Sequence, residues 1–141
     1  MSAASDGRLR TTITYLEMAR PPSEQPPSDP PQIRLERASG LTVAFYRYLY
    51  NEVGKPWLWY ERRVMDDVAL AALLHSPAIE VHVAYGNGVP AGFFELDRRH
   101  PTDIDLAYFG LLPDFIGRGI GHWFLRRAVD QAWRYRPRLL T

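Results

Sequence analysis

The sequence has no cysteine. That excludes a disulfide framework, a thiolate zinc site and a cysteine nucleophile together. It also lacks an excess of either charge. Seventeen Lys and Arg stand against sixteen Asp and Glu, for a formal net charge of +1. Binding to nucleic acid through phosphate contacts needs a clustered basic surface, so no nucleic-acid partner is expected. No apolar run reaches roughly 18 residues, and residues 1–10 lack the apolar centre of a signal peptide. No membrane partner is expected, and the expected compartment is the cytoplasm. Several catalytic spellings are missing too. The Gly54-Lys55 pair is followed by Pro56 and has no strand before it, so it is not a P-loop. There is no Gly-x-Ser-x-Gly and no His-Glu-x-x-His, and His75, His82 and His100 show no metal spacing. No metal is expected.

What is present suits one globular domain. At 141 residues, with 46% hydrophobic and 13% aromatic content, the chain can bury a core. Residues 1–10 are expected to be disordered. Residues 12–18 are β-rich and partly alternating, which predicts a strand. Pro21, Pro22, Pro26, Pro27, Pro30 and Pro31 make 21–31 an extended loop, either a passive connection or a proline motif for a partner. Residues 32–37 predict a second strand, able to pair with 12–18 across that loop. Val43, Phe45, Tyr46, Leu49, Tyr50 and Val53 recur at helical spacing. Ser39 is a candidate cap for that helix, and Gly54 with Pro56 ends it. Trp57, Trp59 and Tyr60 follow, and could wall an acceptor site or plug the core under the helix. A second helix starts at Asp66 or Asp67, with Val68, Leu70, Leu73 and Leu74 on its apolar face, and stops before Pro77.

Residues 79–85 alternate as a strand. Gly86-Asn87-Gly88 predicts a hairpin turn, because these residues accept positive φ. Strands at 89–97 and 104–112 complete a meander. Helix–helix–meander–helix order gives an α+β fold. The third helix carries Ile120, Phe124, Ala128 and Ala132 on one face and ends at Pro137; residues 138–141 would open a further strand.

Between the last meander strand and the third helix lies Ile116-Gly117-Arg118-Gly119-Ile120-Gly121. A glycine loop that opens a helix presents free N–H groups and the positive end of the helix dipole, a place suited to phosphate. Glycine keeps the backbone open to an anion and tolerates positive φ. The dinucleotide fingerprint fails, since the third position after Gly121 is Phe124. The loop resembles instead the cofactor loop of the GNAT N-acetyltransferase superfamily, Gln/Arg-x-x-Gly-x-Gly/Ala after a strand ending in hydrophobic-x-Pro. Gly119 and Gly121 match its last half, and Leu112-Pro113 lead into it. Ile116 stands where the family has Gln or Arg, and Arg118 keeps a cation two residues on. The resemblance covers 78–141 well and 41–76 more loosely.

The resemblance implies a mainly antiparallel, GNAT-like sheet flanked by helices, and an acetyl-CoA-dependent N-acetyltransferase acting on a primary amine, small molecule or protein. In that reading the amides of Gly117, Arg118, Gly119, Ile120, Gly121 and His122 hold the pyrophosphate of acetyl-CoA. The backbone of Phe109, Gly110, Leu111 and Leu112 pairs with the pantetheine arm and polarises the acetyl carbonyl. Arg118 is a further phosphate candidate. Counting from Gly119 places Asp105 where many relatives carry a catalytic glutamate, on a face expected to include Asp103, Ala107 and Phe109. Glu95 on the neighbouring strand is the reserve.

A complete domain of that superfamily continues with a fifth strand, a fourth helix and two more strands. The expectation is therefore a partial domain over 11–141, incomplete after the third helix. Strand 104–112 would be a bare edge, with a second chain, as in a homodimer, completing the sheet. A non-catalytic acyl-CoA-binding or regulatory module is the alternative. The acceptor cannot be read from these residues.

Overall fold

The computed structural model describes residues 2–3 and 6–141. Of the N-terminal stretch expected to be disordered, Met1, Ala4 and Ser5 lie outside the described residues. Ser2–Ala3 (β1) pairs antiparallel with Leu9–Arg10 (β2). The main sheet has five strands: Ile33–Arg37 (β3), Ile79–Gly86 (β4), Val89–Asp97 (β5), Asp103–Leu111 (β6) and Leu139–Leu140 (β7), in that spatial order. Every pairing is antiparallel except β6 with β7. Three helices, Val43–Gly54 (α1), Asp67–Leu74 (α2) and Gly121–Trp133 (α3), cover the two faces. Among the described residues, no helix is long and apolar enough to cross a membrane.

Local chemistry explains most boundaries. Asn87 and Gly88 hold φ of 51° and 85°, so the β4–β5 connection is a two-residue turn with positive φ at both positions. The side chain of Thr42, not Ser39, caps α1 by accepting from Phe45 N at 3.1 Å. Asp66 caps α2 by accepting from Ala69 N at 2.7 Å. Leu70 is the buried residue of α2; Val68 faces solvent at 81% exposure, because an eight-residue helix buries one narrow stripe.

Two apolar clusters sandwich the sheet. Tyr46, Leu49, Tyr50 and Val53 of α1, with Leu70 of α2, pack on Val81, Val83 and Phe93. On the opposite face Trp123, Phe124, Ala128 and Ala132 of α3 pack on Ala84, Phe94, Leu96 and Ile104. Burying these side chains is worth about 25 cal/mol per Å² of apolar surface removed from water.

The predicted strand over 12–18 does not form. Among the described residues, Met18 alone of this stretch pairs, donating to and accepting from Leu140 across β7 at 2.7 and 2.9 Å. β3 pairs with β4 instead, since β4 offers a register from Ile33↔Gly86 to Arg37↔His82. The proline-rich stretch is tied to α3: Trp123 Nε1 donates to Asp29 Oδ1 at 2.7 Å, and Arg126 Nη2 to Glu24 O at 2.7 Å. β6 is not wholly bare. β7 pairs with Asp103 and Ile104, and Leu106 N donates to Thr141 O at 2.8 Å. Beyond Leu106, among the described residues, β6 has a strand partner on the β5 side alone.

Candidate active site

The site is assembled where β6 turns into α3. Leu112 N donates to Ala91 O at 2.8 Å and anchors the strand end. Pro113–Phe115 forms a 3-10 turn, and Gly117 and Gly119 then take φ of 82° and 79°. A Cβ on either glycine would meet nothing within 4 Å, so the backbone conformation, not crowding, calls for glycine there. α3 starts without a side-chain cap. Among the described residues, no protein group accepts from the N–H of Gly117, Arg118, Gly119, Ile120, Gly121, His122 or Trp123; the first bond is Phe124 N to Ile120 O at 2.9 Å. These donors are the orphan amides of a helix start, aligned with its dipole. Their chemistry fits a diphosphate. Arg118 lies with its guanidinium carbon 5.0 Å from the Phe115 ring centre and stays exposed. His122 is exposed on the first turn.

β6 carries a bulge. Glu95 pairs with Tyr108 and Leu96 with Leu106, so Ala107 has no cross-strand partner. A bulge bends its strand and re-aims the following side chains. Here it separates the residues expected to share a face. Phe109 turns to the α3 side with Ile104 and Leu106, its ring centre 5.2 Å from that of Phe124. Asp105 is exposed and accepts from Thr141 Oγ1 at 3.2 Å. Asp105 and Phe109 therefore do not stand together. A one-residue register change is enough to do this.

Tyr108, just past the bulge, faces α1. Its ring centre lies 5.1 Å from those of Tyr50 and Trp59. Trp59 plugs this cluster, also edge-on to Phe93, while Trp57 and Tyr60 are 64% and 62% exposed. A Cβ on Gly110 would strike Val53, so α1 rests directly on β6 at that point. Burial, followed by the hydrogen bond with Tyr50, raises the Tyr108 phenol well above the ordinary tyrosine value.

Glu95 is completely buried, and both of its oxygens are engaged. Arg62 Nη2 donates to Oε2 at 2.7 Å, and the Tyr46 hydroxyl donates to Oε1. Burial and then the Glu95 charge push the Tyr46 phenol far above its usual range. Burial alone would lower the Arg62 guanidinium, yet Glu95 holds it above its ordinary value. The structure thus keeps Glu95 buried inside an ion pair on the α1 side of the sheet, while Asp105, which pairs with Asp97 on that same face, is exposed. Sequence reasoning missed Arg62, Tyr46, Tyr50 and Tyr108. A glutamate inside the apolar strand 89–97 is the one signal that asked for a buried cationic partner.

The profile of the acetyltransferase (GNAT) family matches residues 43–137. Comparison with curated proteins gave no match. Among solved structures, the chain is similar to an IAA acetyltransferase from Bacillus cereus, with 22% identity, a TM-score of 0.53, and 74% of this chain and 61% of that one covered. It is similar to a GNAT-family acetyltransferase from Elizabethkingia anophelis with acetyl-CoA bound, at 14% identity and a TM-score of 0.54, covering 77% of this chain and 62% of that one. A third is an aminoglycoside acetyltransferase from an uncultured soil metagenomic sample, in complex with sisomicin. There the identity is 14%, the TM-score 0.58, and coverage 75% of this chain and 72% of that one. The chain thus spans about three fifths of the length of the first two. These likenesses agree with the curled, mainly antiparallel sheet, and the match over 43–137 shows that this chain belongs to the GNAT acetyltransferase family.

Proposed function

We propose that the chain binds acetyl-CoA at the Gly117–Gly121 loop and acts in acetyl transfer to a primary amine. The observation that carries this reading is the run of uncapped amides from Gly117 to Trp123, set beside a β6 edge that has, among the described residues, no strand partner beyond Leu106. Bound acetyl-CoA supplies an activated acetyl thioester. The chain supplies the rest. The amides of Gly117, Arg118, Gly119, Ile120, Gly121 and His122 grip the diphosphate, each charge-assisted hydrogen bond worth roughly 1.5–3 kcal/mol. Arg118 adds a cation at the same place. Those backbone groups of Phe109, Gly110, Leu111 and Leu112 that point away from β5 hold the pantetheine arm as an added strand would be held, and one N–H polarises the acetyl carbonyl.

An alkylammonium must lose a proton before it attacks, and a positioned carboxylate or water chain is the usual acceptor. Asp105 is exposed, with the Thr141 hydroxyl alone on it among the described residues, and takes this role through water. Glu95, with both oxygens occupied, holds Arg62 and Tyr46 in place rather than taking the proton.

The test is a pair of assays on the same protein. Titration of acetyl-CoA followed by tryptophan fluorescence should saturate, and thiol release should rise with one or more members of a primary-amine panel. Saturable binding with no thiol released by any amine would favour the non-catalytic acyl-CoA-binding module. No binding would overturn the cofactor site itself.

A further inference from the structure

We infer that the groove between β3 and α3 binds a single phosphate group, one that still carries a proton. This site is separate from the glycine loop, and the inference stands without the coenzyme reading above.

The groove holds a cavity of about 230 Å³, with Arg37 of β3, His82 of β4, and Arg127, Asp130 and Arg134 from the α3 side among its walls. Pockets for drug-sized ligands run to roughly 300–1,000 Å³, so this space suits a small group. Its arginines outnumber the carboxylates near them. Arg134, exposed just past α3, has no ion-pair partner among the described residues. Arg37 Nη2 stands 3.9 Å from Glu80 Oε2, an oxygen that Arg98 Nε also approaches at 3.3 Å. Arg127 Nη1 lies 3.7 Å from Asp29 Oδ1, too far for a hydrogen bond. Asp130 is matched by Arg126, whose Nε donates to it at 2.8 Å. The excess is positive, and arginine recognises phosphate through N–H donors set like a fork.

His82 adds a group that a bare anion does not satisfy. Its side chain is nine-tenths buried, and its ring stacks on Phe94 with 4.7 Å between centres. Nε2 lies 2.7 Å from Glu80 Oε1, while Gln131 Nε2 and the Tyr135 hydroxyl donate to the same carboxylate. These bonds keep Glu80 ionised at neutral pH. An ionised carboxylate only accepts, so a ring proton sits on Nε2, and with one proton on the ring Nδ1 is an acceptor. Nδ1 has no partner among the described residues, yet it is not sealed from solvent, and the cavity is where His82 meets open space.

The two requirements together select the ligand. The arginines call for negative oxygens, and Nδ1 calls for a hydrogen-bond donor. Sulfate and ordinary carboxylates bring charge but no proton at neutral pH. Phosphate brings both, because one of its oxygens stays protonated while the others carry the charge. Free phosphate and a small phosphate monoester share this chemistry, and the size of the cavity sets aside a bulky ester.

The experiment titrates the full chain, labelled with ¹⁵N, with inorganic phosphate, methyl phosphate and sulfate at pH 7, following the ring nitrogens of His82. The Nδ1 resonance should move saturably with phosphate, and phosphate should bind about tenfold or more tightly than sulfate. Methyl phosphate binding as well as phosphate would assign the site to small monoesters; phosphate binding alone would assign it to the free ion, and either supports the site. Arg134→Gln and Arg127→Gln should each weaken phosphate by about tenfold. Arg134→Lys should restore part of the loss, and acetyl-CoA titrations should be the same in all these variants. Sulfate binding as tightly as phosphate would reduce the groove to a general anion patch and overturn the proposal. Phosphate binding indifferent to both arginines, or an Nδ1 resonance that does not move, would overturn it too. An equal loss of acetyl-CoA binding in Arg134→Gln would give the groove to the coenzyme's own phosphate and overturn a separate site.

Discussion

Arg62 and Glu95, 33 residues apart, meet at 2.7 Å beneath the β5–β6 surface, where the glutamate is wholly buried and the arginine side chain is 15% exposed. Taking two charges out of water is unfavourable, and their attraction balances that loss only while both are present. Glu95→Ala or Arg62→Ala should therefore destabilise the fold by about 3–5 kcal/mol in urea titrations. The paired replacement Arg62→Met with Glu95→Leu should recover most of that loss. If the double variant is as unstable as either single one, the pair is not what holds the loop between α1 and α2.

A second buried carboxylate sets the acid limit of the fold. Glu80 accepts from His82 Nε2 at 2.7 Å, from Gln131 Nε2 at 2.6 Å and from the Tyr135 hydroxyl at 2.7 Å. Burial would raise its pKa, but these hydrogen bonds, His82 first, outweigh it and bring the value down from 4.5 to about 2. A carboxyl lowered in the folded state stabilises above its unfolded value, and the contribution is lost as pH falls through the folded one. The window is thus from about pH 4.5 down to about pH 2, and the contribution at neutral pH is on the order of 3 kcal/mol. Glu80→Gln should be less stable than the unmodified chain at pH 7, and the two stabilities should converge as pH approaches 2. A constant gap across that range would count against the assignment.

How much of this was legible in the sequence depends on how local the cause is. The Gly86-Asn87-Gly88 turn and the Asp66 cap could be read, because each feature is decided within four residues by positive φ or a side-chain oxygen. The strand over 12–18 could not. β propensity reports fitness for a pleated surface and says nothing about which edge is free, and only Met18 finds one, at Leu140. The position of Asp105 relative to Phe109 was misjudged because the bulge at Ala107 depends on how β5 and β6 align, a relation between strands. The uncapped glycine loop was legible by its spelling, whereas the Arg62–Glu95 pair required knowing the tertiary fold.

Gly54 closes α1 against Trp59. A Cβ there would come within 2.5 Å of the indole Cε3. The ring would have to leave its place beside Tyr50 and Tyr108, and overpacking of this kind typically costs about 1–3 kcal/mol. Gly54→Ala should lower stability by that amount and red-shift tryptophan emission, as Trp59 moves towards water. An unshifted spectrum would mean that the helix end, not the ring, gives way.

Gly119 separates the two tasks of the loop, because its φ of 79° needs glycine while the space around its missing Cβ is open. Alanine there meets no clash, so the loss of stability should be small, about 1–2 kcal/mol of backbone strain. Relaxation of the strained backbone would nevertheless turn the neighbouring amides of Ile120 and Gly121 out of place. Gly119→Ala should therefore weaken acetyl-CoA binding by about tenfold or more, measured by fluorescence titration, with a much smaller effect on urea unfolding. Gly40→Ala is the control: its added Cβ also meets nothing within 4 Å, but its φ is not in the positive range and it lies far from the loop in sequence. If Gly119→Ala and Gly40→Ala bind the coenzyme equally well, the diphosphate is held elsewhere, and the uncapped start of α3 has another use.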